Sequence, residues 1–309
     1  MPRTDTGAVR HCTLWVPDLE TLRASPRVRR WLARGAWARV PQASAAHALF
    51  ALFGVNADPL PWAAATHAFD SEAAGDCWLR ADPVHLLLGT SHAVLAPQTA
   101  LDLSAAEVAA LGASLQPLFA DRGLMLEQPC ATRWYVRLSH DIPVQGPLPV
   151  VGTQAGLPGA QTLWNTLLTE AQMVLFAHPV NETRTSEGRV PVNSLWFWGG
   201  GCLARLPALW SQVRTEDPVA SGLASCAGTP CSLSEVAAAG AGRVLWVPGG
   251  VAGPSAALEE LERSWLEPLE RALRTGSWDS VALCDHHGTV QLEARDLRAW
   301  WRRGRGPQL

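Results

Sequence analysis

The segment HPVNETRTSEGRVPVNSLWFWGGG, residues 178–201, joins a polar stretch to an apolar strand pattern and a run of three glycines. Its part Ser194–Trp198 is almost entirely apolar and aromatic, which predicts a buried β-strand. The glycines that follow let backbone approach a ligand or a neighbouring element closely. In open α/β sheets, ligands bind at loops beyond the carboxyl ends of the strands. The segment therefore predicts a sheet with a candidate binding region beside it.

The rest of the chain alternates between strand and helix patterns. The predicted strands are His11–Val16, Ala81–Gly89, Ser194–Trp198, Arg243–Val247, Ser280–Cys284 and Thr289–Leu292. The predicted helices are Leu19–Gly35, Ala43–Phe53, Leu103–Gly123, Ala160–Ala177 and Ala256–Thr275. This alternation predicts an α/β fold in which a mostly parallel sheet is flanked by helices.

A helix with a clear start signal and a hairpin pattern lie in the middle of the chain. Ser104 followed by Glu107 forms a capping-box pattern, and Gly123 is a helix stop. The stretches Leu124–Gln128 and Trp134–Ser139 then alternate like the two strands of a hairpin. The order strand, helix, strand, strand predicts a small inserted α+β unit.

The domain boundaries follow from this unit. We predict that residues 80–142 are inserted into a core made of residues 1–79 and 143–309. The Pro- and Gly-rich segment 142–159 is predicted to be a linker. Residues 58–74, which contain two prolines, are predicted to form a loop.

The composition argues against several classes of protein. The 309 residues carry a formal net charge of −3, which gives no electrostatic basis for binding nucleic acid or an anionic membrane. No apolar run approaches the ~20 residues that a membrane-spanning helix needs, and we see no signal peptide. The seven cysteines are scattered without a CxxC pair, so we expect reduced thiols rather than a disulfide framework or a zinc site. We therefore expect a cytoplasmic protein.

Polar side chains near the glycine-rich strand are the first candidates for a ligand site. They are Arg80, His178, Asn181, Arg184 and Asn193. A guanidinium such as that of Arg184 can bind a phosphate or carboxylate through two hydrogen bonds, so this set is a candidate metal-free site for a phosphorylated metabolite. Alternatively, Asn181, Arg184 and Asn193 satisfy one another's buried backbone, and the glycines serve helix–sheet packing. The glycine run matches neither a Walker loop nor a dinucleotide fingerprint.

The same segment carries a resemblance to a known family. Residues 178–201 resemble the archaeal-type cofactor-independent phosphoglycerate mutases of the alkaline phosphatase superfamily. Residues 43–56 are similar to the nucleophile helix of that family, and residues 75–81 to the Gly-Asp…Arg stretch that enters its inserted domain. Residues 244–262 and 280–290 resemble its metal-loop region and the strand that ends in Asp-His. The resemblance implies an alkaline-phosphatase-like core, here with trimmed loops.

The motif Trp-Phe-Trp-Gly-Gly-Gly at residues 196–201 resembles a bacterial branch of this family more closely. That branch is described as mutase-like or as RpfE-like regulatory proteins. It implies a regulatory role and no particular reaction.

The family resemblance also implies a serine nucleophile and two divalent metals, manganese or magnesium, held by Asp and His ligands. At the matching positions this chain has Asp18, Ser44, Asp285 and His286. Ser44 lacks the acidic neighbour of the family, because Ala45 follows it. Asp18 is alternatively a carboxylate at a helix N-terminus, Ser44 a helix cap, and the run Asp-His-His-Gly a turn between two strands.

The metal-loop region departs furthest from the family. Where the resemblance implies Asp and His ligands, the chain has Val251 or Gly250 and then Pro254, none of which has a metal-binding side chain. We therefore expect a pseudoenzyme with no bound cofactor, which acts as a regulatory or ligand-binding protein for a phosphorylated metabolite or a protein partner. The alternative is a metal-dependent phosphoglycerate mutase or phosphatase with Ser44 as its nucleophile.

Overall fold

The computed structural model describes residues 9–16, 18–71, 75–88, 93–96, 100–139, 154–155, 162–232, 242–248, 259 and 261–298. The chain divides into two compact units. The first consists of Met1–Asn56 with Leu206–Leu309, and the second is Ala57–Arg205. The second unit includes residues 80–142, for which the sequence pattern predicts an insertion, and the bounds of that insertion stay a prediction.

The elements are numbered in chain order. The strands are β1 (Arg10–Trp15), β2 (Ala36–Arg39), β3 (Cys77–Val84), β4 (Leu86–Leu88), β5 (Ala93–Leu95), β6 (Met125–Glu127), β7 (Tyr135–Leu138), β8 (Gln154–Ala155), β9 (Ser194–Cys202), β10 (Gln212–Thr215), β11 (Cys231–Ser232), β12 (Gly242–Val247), β13 (Ser280–Cys284) and β14 (Gly288–Glu293). The helices are α1 (Leu19–Leu22), α2 (Pro26–Arg34), α3 (Ala45–Ala51), α4 (Trp62–Asp70), α5 (Ala105–Ala120), α6 (Thr162–Phe176), α7 (Pro179–Ser186), α8 (Pro218–Cys226), α9 (Glu267–Thr275), which a π-helical turn (Glu262–Leu266) precedes, and α10 (Ala294–Arg298). Among the described helices, none combines the length and the apolar character that crossing a membrane requires.

The first unit contains a seven-stranded sheet with the order β11-β10-β12-β1-β13-β14-β2. Neighbouring strands from β11 to β13 are parallel, and β14 and β2 add two antiparallel strands at one edge. On one face of the central strand β1, Cys12 and Leu14 are fully buried, and Thr13 on the opposite face is also buried, as expected for a parallel strand covered on both faces. The predicted α/β fold with a mostly parallel sheet is confirmed.

The predicted helix Leu19–Gly35 is in fact two helices, α1 and α2. Ser25 separates them, because its Oγ accepts hydrogen bonds from the backbone N–H groups of Arg27 and Val28, both at 3.1 Å. Pro26 then occupies the first turn of α2, where its missing N–H leaves no helical hydrogen bond unmade. A serine cap followed by proline thus starts a new helix.

The second unit contains an antiparallel four-stranded sheet, β6-β7-β3-β9, and a three-stranded sheet, β4-β5-β8. The predicted capping box of Ser104 and Glu107 is present at the start of α5, and β6 and β7 form the predicted hairpin. Phe119 of α5 and Trp164 of α6 both contact the ring of Phe197 in β9. These contacts belong to the main apolar core of the unit.

The predicted loop at residues 58–74 is wrong, because α4 occupies most of it. Helix α4 packs on β9, and its alanines are buried. The glycines of β9 permit this contact: a Cβ at Gly199 would lie 2.9 Å from Trp62 Cβ, and a Cβ at Gly201 would lie 2.8 Å from Pro61 Cβ. The glycine run therefore serves helix–sheet packing, which is one of the two roles expected for it.

A disulfide joins Cys77 at the start of β3 to Cys202 at the end of β9. The two residues face each other in the register of these strands and are 125 positions apart in the sequence. The expectation of reduced thiols throughout is therefore wrong for this pair. The other five cysteines are free.

Candidate functional site

The candidate residues predicted from the sequence fall into both units. The first unit holds Asp18, Ser44, Asp285 and His286. The second unit holds Arg80, His178, Asn181, Arg184 and Asn193. Asp18 and Asp285 lie just beyond the carboxyl ends of β1 and β13, which are neighbours in the parallel part of the first sheet.

Asp285 is a buried carboxylate that organises the turn after β13. Its Oδ1 accepts hydrogen bonds from the backbone N–H groups of His287 at 2.8 Å and Gly288 at 3.1 Å. Its Oδ2 accepts the N–H of Leu19 at 3.0 Å, which ties this turn to the start of α1. Asp285 therefore has a structural role in the predicted turn, whether or not it also binds a metal.

The same turn brings together three side chains that can ligate a metal. One ligand atom from each of Asp285, His286 and His287 lies within 4.8 Å of the others, a spacing compatible with one ion. Nδ1 of His286 is buried and has no hydrogen-bond partner among the described residues. A buried imidazole nitrogen without a partner costs free energy unless a ligand satisfies it. The donor set therefore fits a single divalent cation.

Asp18 does not belong to this group of three residues. It is the N-cap of α1, where its carboxylate accepts hydrogen bonds from the Glu20 N–H at 2.9 Å and the Thr21 hydroxyl at 2.7 Å. Burial opposes its ionisation, but these hydrogen bonds and the attraction of His286 lower the pKa of Asp18. Asp18 therefore lies at a helix N-terminus, which is the alternative role expected for it from the sequence.

Ser44 is likewise a helix cap, at the start of α3. Its Oγ accepts the His47 N–H at 3.3 Å and lies 2.8 Å from Nδ1 of the same histidine. Nε2 of His47 is buried and has no hydrogen-bond partner among the described residues. The N–H of Gln42 donates to the carbonyl of His286 at 2.8 Å, so the segment that leads to Ser44 contacts the Asp285 turn.

His47 and His287 are the two residues that the sequence prediction of the site left out. His47 stands three positions after a candidate N-cap serine, which is the spacing that lets a side chain reach the cap. His287 directly follows the Asp-His pair. The replaced metal-loop positions Val251 and Pro254 lie outside the described residues.

In the second unit, Arg80 is buried and fully engaged with Asp82. Nε and Nη2 of Arg80 each donate to a different carboxylate oxygen of Asp82 at 2.8 Å, and Nη1 donates to the Thr66 hydroxyl at 3.2 Å. Asp82 also accepts the indole N–H of Trp198 at 2.7 Å. The guanidinium lies over the rings of Trp198 and Tyr135. These interactions stabilise β3, and the Arg80 guanidinium does not point toward solvent.

The polar stretch after residue 178 contains a helix, α7, whose N-cap is His178. Nδ1 of His178 accepts the Val180 N–H at 3.1 Å, and Pro179 occupies the first turn. Nε2 lies 2.9 Å from the hydroxyl of Ser114 in α5. The fixed φ of Pro179 suits the first turn of a helix, so the histidine cap and the proline together start α7 at this point.

Asn181 and Asn193 join backbone groups of the second unit. The Asn181 amide donates to the carbonyls of Leu175 at 2.8 Å and Val192 at 2.6 Å, and its Oδ1 accepts the Val192 N–H at 2.9 Å. The Asn193 side chain accepts the N–H of Leu86 at 2.7 Å and donates to its carbonyl at 2.9 Å. Both amides thus satisfy buried or half-buried backbone.

Arg184 is fully buried in the same region. Its Nε donates to the Val190 carbonyl at 2.8 Å, its Nη1 donates to Glu107 at 2.8 Å, and its Nη2 donates to the Leu101 carbonyl. Arg184 therefore joins α7 to the start of α5. The alternative interpretation, that Asn181, Arg184 and Asn193 satisfy buried backbone groups, matches the geometry of these three residues. Ligand binding through the five candidate residues stays a prediction.

A cavity of about 610 Å³ lies next to this network. Two carboxylates, those of Asp102 and Glu107, line it, and the exposed Arg189 is already paired with Glu107 and Glu187. Net negative lining disfavours a phosphorylated ligand at this cavity.

Glu107 links the Arg184 network to the capping box, and its pKa provides a test. Partial burial opposes ionisation, but hydrogen bonds from Ser104 and Arg184 lower the pKa of Glu107 from its ordinary value of 4.5 to about 2. A carboxyl with a lowered pKa stabilises the fold above its unfolded pKa, and this contribution disappears as the pH falls through the folded pKa. We therefore expect Glu107→Gln to lower the free energy of unfolding near neutral pH.

The difference between wild type and Glu107→Gln should shrink as the pH falls from 4.5 to about 2, because the wild-type carboxyl then becomes neutral as well. Urea unfolding at a series of pH values measures this difference. Glu187→Gln, at an exposed carboxylate, is the control and should differ little from wild type at any pH. A difference for Glu107→Gln that stays constant with pH would contradict the proposed role of its charge.

Comparison with known proteins gives partial matches to one family. No protein-family model matches the chain. A probable 2,3-bisphosphoglycerate-independent phosphoglycerate mutase from Geobacter sulfurreducens is 35% identical over 68 residues, which is 20% of this chain and 17% of that protein. The 2,3-bisphosphoglycerate-independent phosphoglycerate mutase of Methanothrix thermoacetophila is 28% identical over 156 residues, covering 46% of this chain and 35% of that protein. The matched segments thus span about a third or less of these curated relatives.

Structural similarity covers more of the chain. A solved structure of a protein from Pyrococcus horikoshii aligns over 93% of this chain and 87% of that chain, with a TM-score of 0.56 and 16% sequence identity. At this level of identity the alignment shows a shared fold. The sequence and structural similarities together point to a cofactor-independent phosphoglycerate mutase-like, alkaline-phosphatase-like α/β fold.

Proposed function

We propose that this chain keeps a phosphoglycerate-mutase-like scaffold without the two-metal catalytic site and acts as a regulatory or ligand-binding protein. One observation carries the proposal: the groups at the predicted catalytic positions are engaged in capping and turn formation. Asp18 caps α1, Ser44 caps α3, and Asp285 accepts three backbone N–H groups. A two-metal site needs several carboxylates that are free to converge on the ions.

The Asp285–His287 turn supports binding of one cation. Two imidazoles and one carboxylate form a mixed nitrogen and oxygen donor set, which suits a divalent transition metal better than magnesium. The replacement of the family's metal ligands by Val251 and Pro254 in the sequence supports the absence of a second ion. In this proposal the cation at the Asp285–His287 turn helps to bind a ligand. Our candidate for that ligand is a phosphorylated metabolite.

Titration calorimetry with manganese chloride tests the metal part of this proposal. We expect one binding site per chain, and we expect His286→Ala to weaken binding at least about tenfold because it removes one of three protein ligands. His85→Ala, at a histidine that hydrogen-bonds the Pro191 carbonyl in the second unit, is the control and should bind manganese like wild type. Two sites per chain, or equal affinity in wild type and His286→Ala, would contradict the proposal.

One observation favours the second candidate function, a phosphatase or mutase with Ser44 as nucleophile. It is the 2.8 Å separation between Ser44 Oγ and His47 Nδ1, because a serine needs a nearby base or metal to become nucleophilic. This candidate predicts a manganese-dependent hydrolysis of phosphate monoesters that Ser44→Ala abolishes.

A further inference from the structure

We propose that Ser71, His67 and Glu127 form a catalytic triad that hydrolyses small carboxylic esters. All three residues lie in the second unit. The proposal goes beyond the ligand-binding function above, because it involves neither the Asp285–His287 turn nor a metal. Three observations carry it: the hydrogen bonds on both sides of the His67 ring, the packing that fixes this ring, and the exposure of Ser71.

The imidazole of His67 lies between a hydroxyl and a carboxylate. His67 Nδ1 is 3.0 Å from Ser71 Oγ, and His67 Nε2 is 3.0 Å from Glu127 Oε2. An ionised carboxylate only accepts hydrogen bonds, so the neutral ring carries its proton on Nε2, and Nδ1 is then an acceptor for the Ser71 hydroxyl. A serine beside an imidazole that a carboxylate orients has the arrangement of an activated nucleophile.

Aromatic packing fixes the position of the His67 ring. His67 is buried, and its ring stacks on that of Trp78 in β3, with centroids 3.6 Å apart and an interplanar angle of 18°. Tyr135 in β7 contacts the same ring edge-on, with centroids 5.0 Å apart. The indole face and the Glu127 carboxylate both stabilise the positive charge that His67 gains when it takes the serine proton. The base is therefore held in place, and its charged form is compensated.

Ser71 is exposed at the end of α4, so a substrate can reach it from solvent. Its Oγ also lies 2.8 Å from the backbone carbonyl of His67. The hydroxyl hydrogen can rotate between this carbonyl and Nδ1, and only the second position prepares the oxygen for attack. The Glu127 carboxylate, 33% exposed, repels an anion such as a phosphate monoester. An uncharged carboxylic ester is therefore the substrate class that suits the site.

The reaction balances with these side chains and water. Ser71 Oγ forms a bond to the carbonyl carbon of the ester while its proton moves to His67 Nδ1. The bond between this carbon and the alcohol oxygen then breaks, and the alcohol leaves with the bonding electrons and the proton held by His67. Water next attacks the acylated Ser71 and gives a proton to Nδ1, which returns it to Oγ as the carboxylic acid leaves.

An alkyl fluorophosphonate, applied to the full-length protein in the presence of EDTA, tests the nucleophile and the base. Ser71 Oγ forms a bond to phosphorus, fluoride leaves with the electrons of the P–F bond, and His67 takes the serine proton. We expect one adduct per chain by intact mass, located at Ser71 by peptide mapping. Ser71→Ala should abolish it, together with hydrolysis of p-nitrophenyl acetate, and His67→Gln should slow labelling about 100-fold, the size of a typical general-base contribution. Circular dichroism checks that both variants fold.

Glu127 is a positioning residue in this proposal, and the pH profile of labelling tests its role. Glu127→Gln keeps an oxygen acceptor near His67 Nε2 but removes the negative charge that stabilises the imidazolium. The neutral base is then available at lower pH, so half-maximal labelling should occur at a lower pH than in wild type. An unchanged pH profile in Glu127→Gln would contradict the triad.

Ser186 provides the matched control. It is also an exposed serine at the end of a helix, and its hydroxyl also donates to a backbone carbonyl, that of Thr183 at 2.7 Å, but it has no printed contact to an imidazole. Ser186→Ala should therefore label at the wild-type rate. Wild-type protein that forms no adduct, or that reacts at Ser186 or Ser44 and not at Ser71, would overturn the proposal even if His67→Gln failed to fold. Because EDTA removes any cation, this outcome is separate from the manganese titration.

Discussion

Reduction of the disulfide between Cys77 and Cys202 is expected to lower the free energy of unfolding by about 4 kcal/mol. The bond closes a loop with a sequence separation of 125, which includes most of the second unit. Closing a long loop removes many conformations from the unfolded chain, so the effect is large. Urea unfolding of wild type and of Cys77→Ser, each without reductant, measures it.

The free cysteines of the chain provide the control for this experiment. Cys231 is exposed and unbridged, so Cys231→Ser should unfold at the wild-type urea concentration. Thiol titration of the denatured, unreduced protein should detect five free thiols. Detection of all seven thiols, or equal stability of wild type and Cys77→Ser, would show that the bridge does not form in the protein.

Removal of the Asp82 carboxylate is expected to lower the free energy of unfolding by about 3–5 kcal/mol, as when one partner of a buried ion pair is lost. Asp82 is fully buried and Arg80 is nearly so. Asp82→Ala would leave the guanidinium of Arg80 and the indole N–H of Trp198 without their acceptor. Urea unfolding compares this variant with wild type.

Two further variants separate the charge effect from other causes. Arg137→Ala breaks an ion pair with Asp76 whose side chains are about half exposed, and we expect a change below about 1 kcal/mol. The double variant Arg80→Met with Asp82→Leu removes both buried charges and should be more stable than Asp82→Ala alone. If Asp82→Ala were as stable as Arg137→Ala, the ion pair of Arg80 and Asp82 would not stabilise the second unit as we describe.

Local signals in the sequence predicted much of the fold. The capping box of Ser104 and Glu107 involves residues three apart, and the apolar runs of β1, β12 and β13 reflect burial on both faces. The helix α4 was missed because two prolines just before it resemble a loop, although the alanines that follow pack against β9. The disulfide was missed because its partners meet only once β3 and β9 pair.

The candidate site was less predictable because a polar side chain near a glycine run has two possible roles. Arg80 and Asp82 are two residues apart on one strand, so they share a face, and this spacing is the signal of their ion pair. For Asn181 and Arg184, most partners are backbone groups that no pattern identifies in advance. At Ser44, a spacing of three residues is compatible with a contact to His47, but only the structure shows that contact.

We propose that this mutase-like scaffold does not perform two-metal phosphoglycerate mutase chemistry. The most direct test is to incubate the purified protein with 3-phosphoglycerate and manganese and to follow the 2-phosphoglycerate formed by ³¹P NMR. We expect no interconversion above the rate without protein. Turnover that requires manganese and is abolished in Ser44→Ala would contradict it.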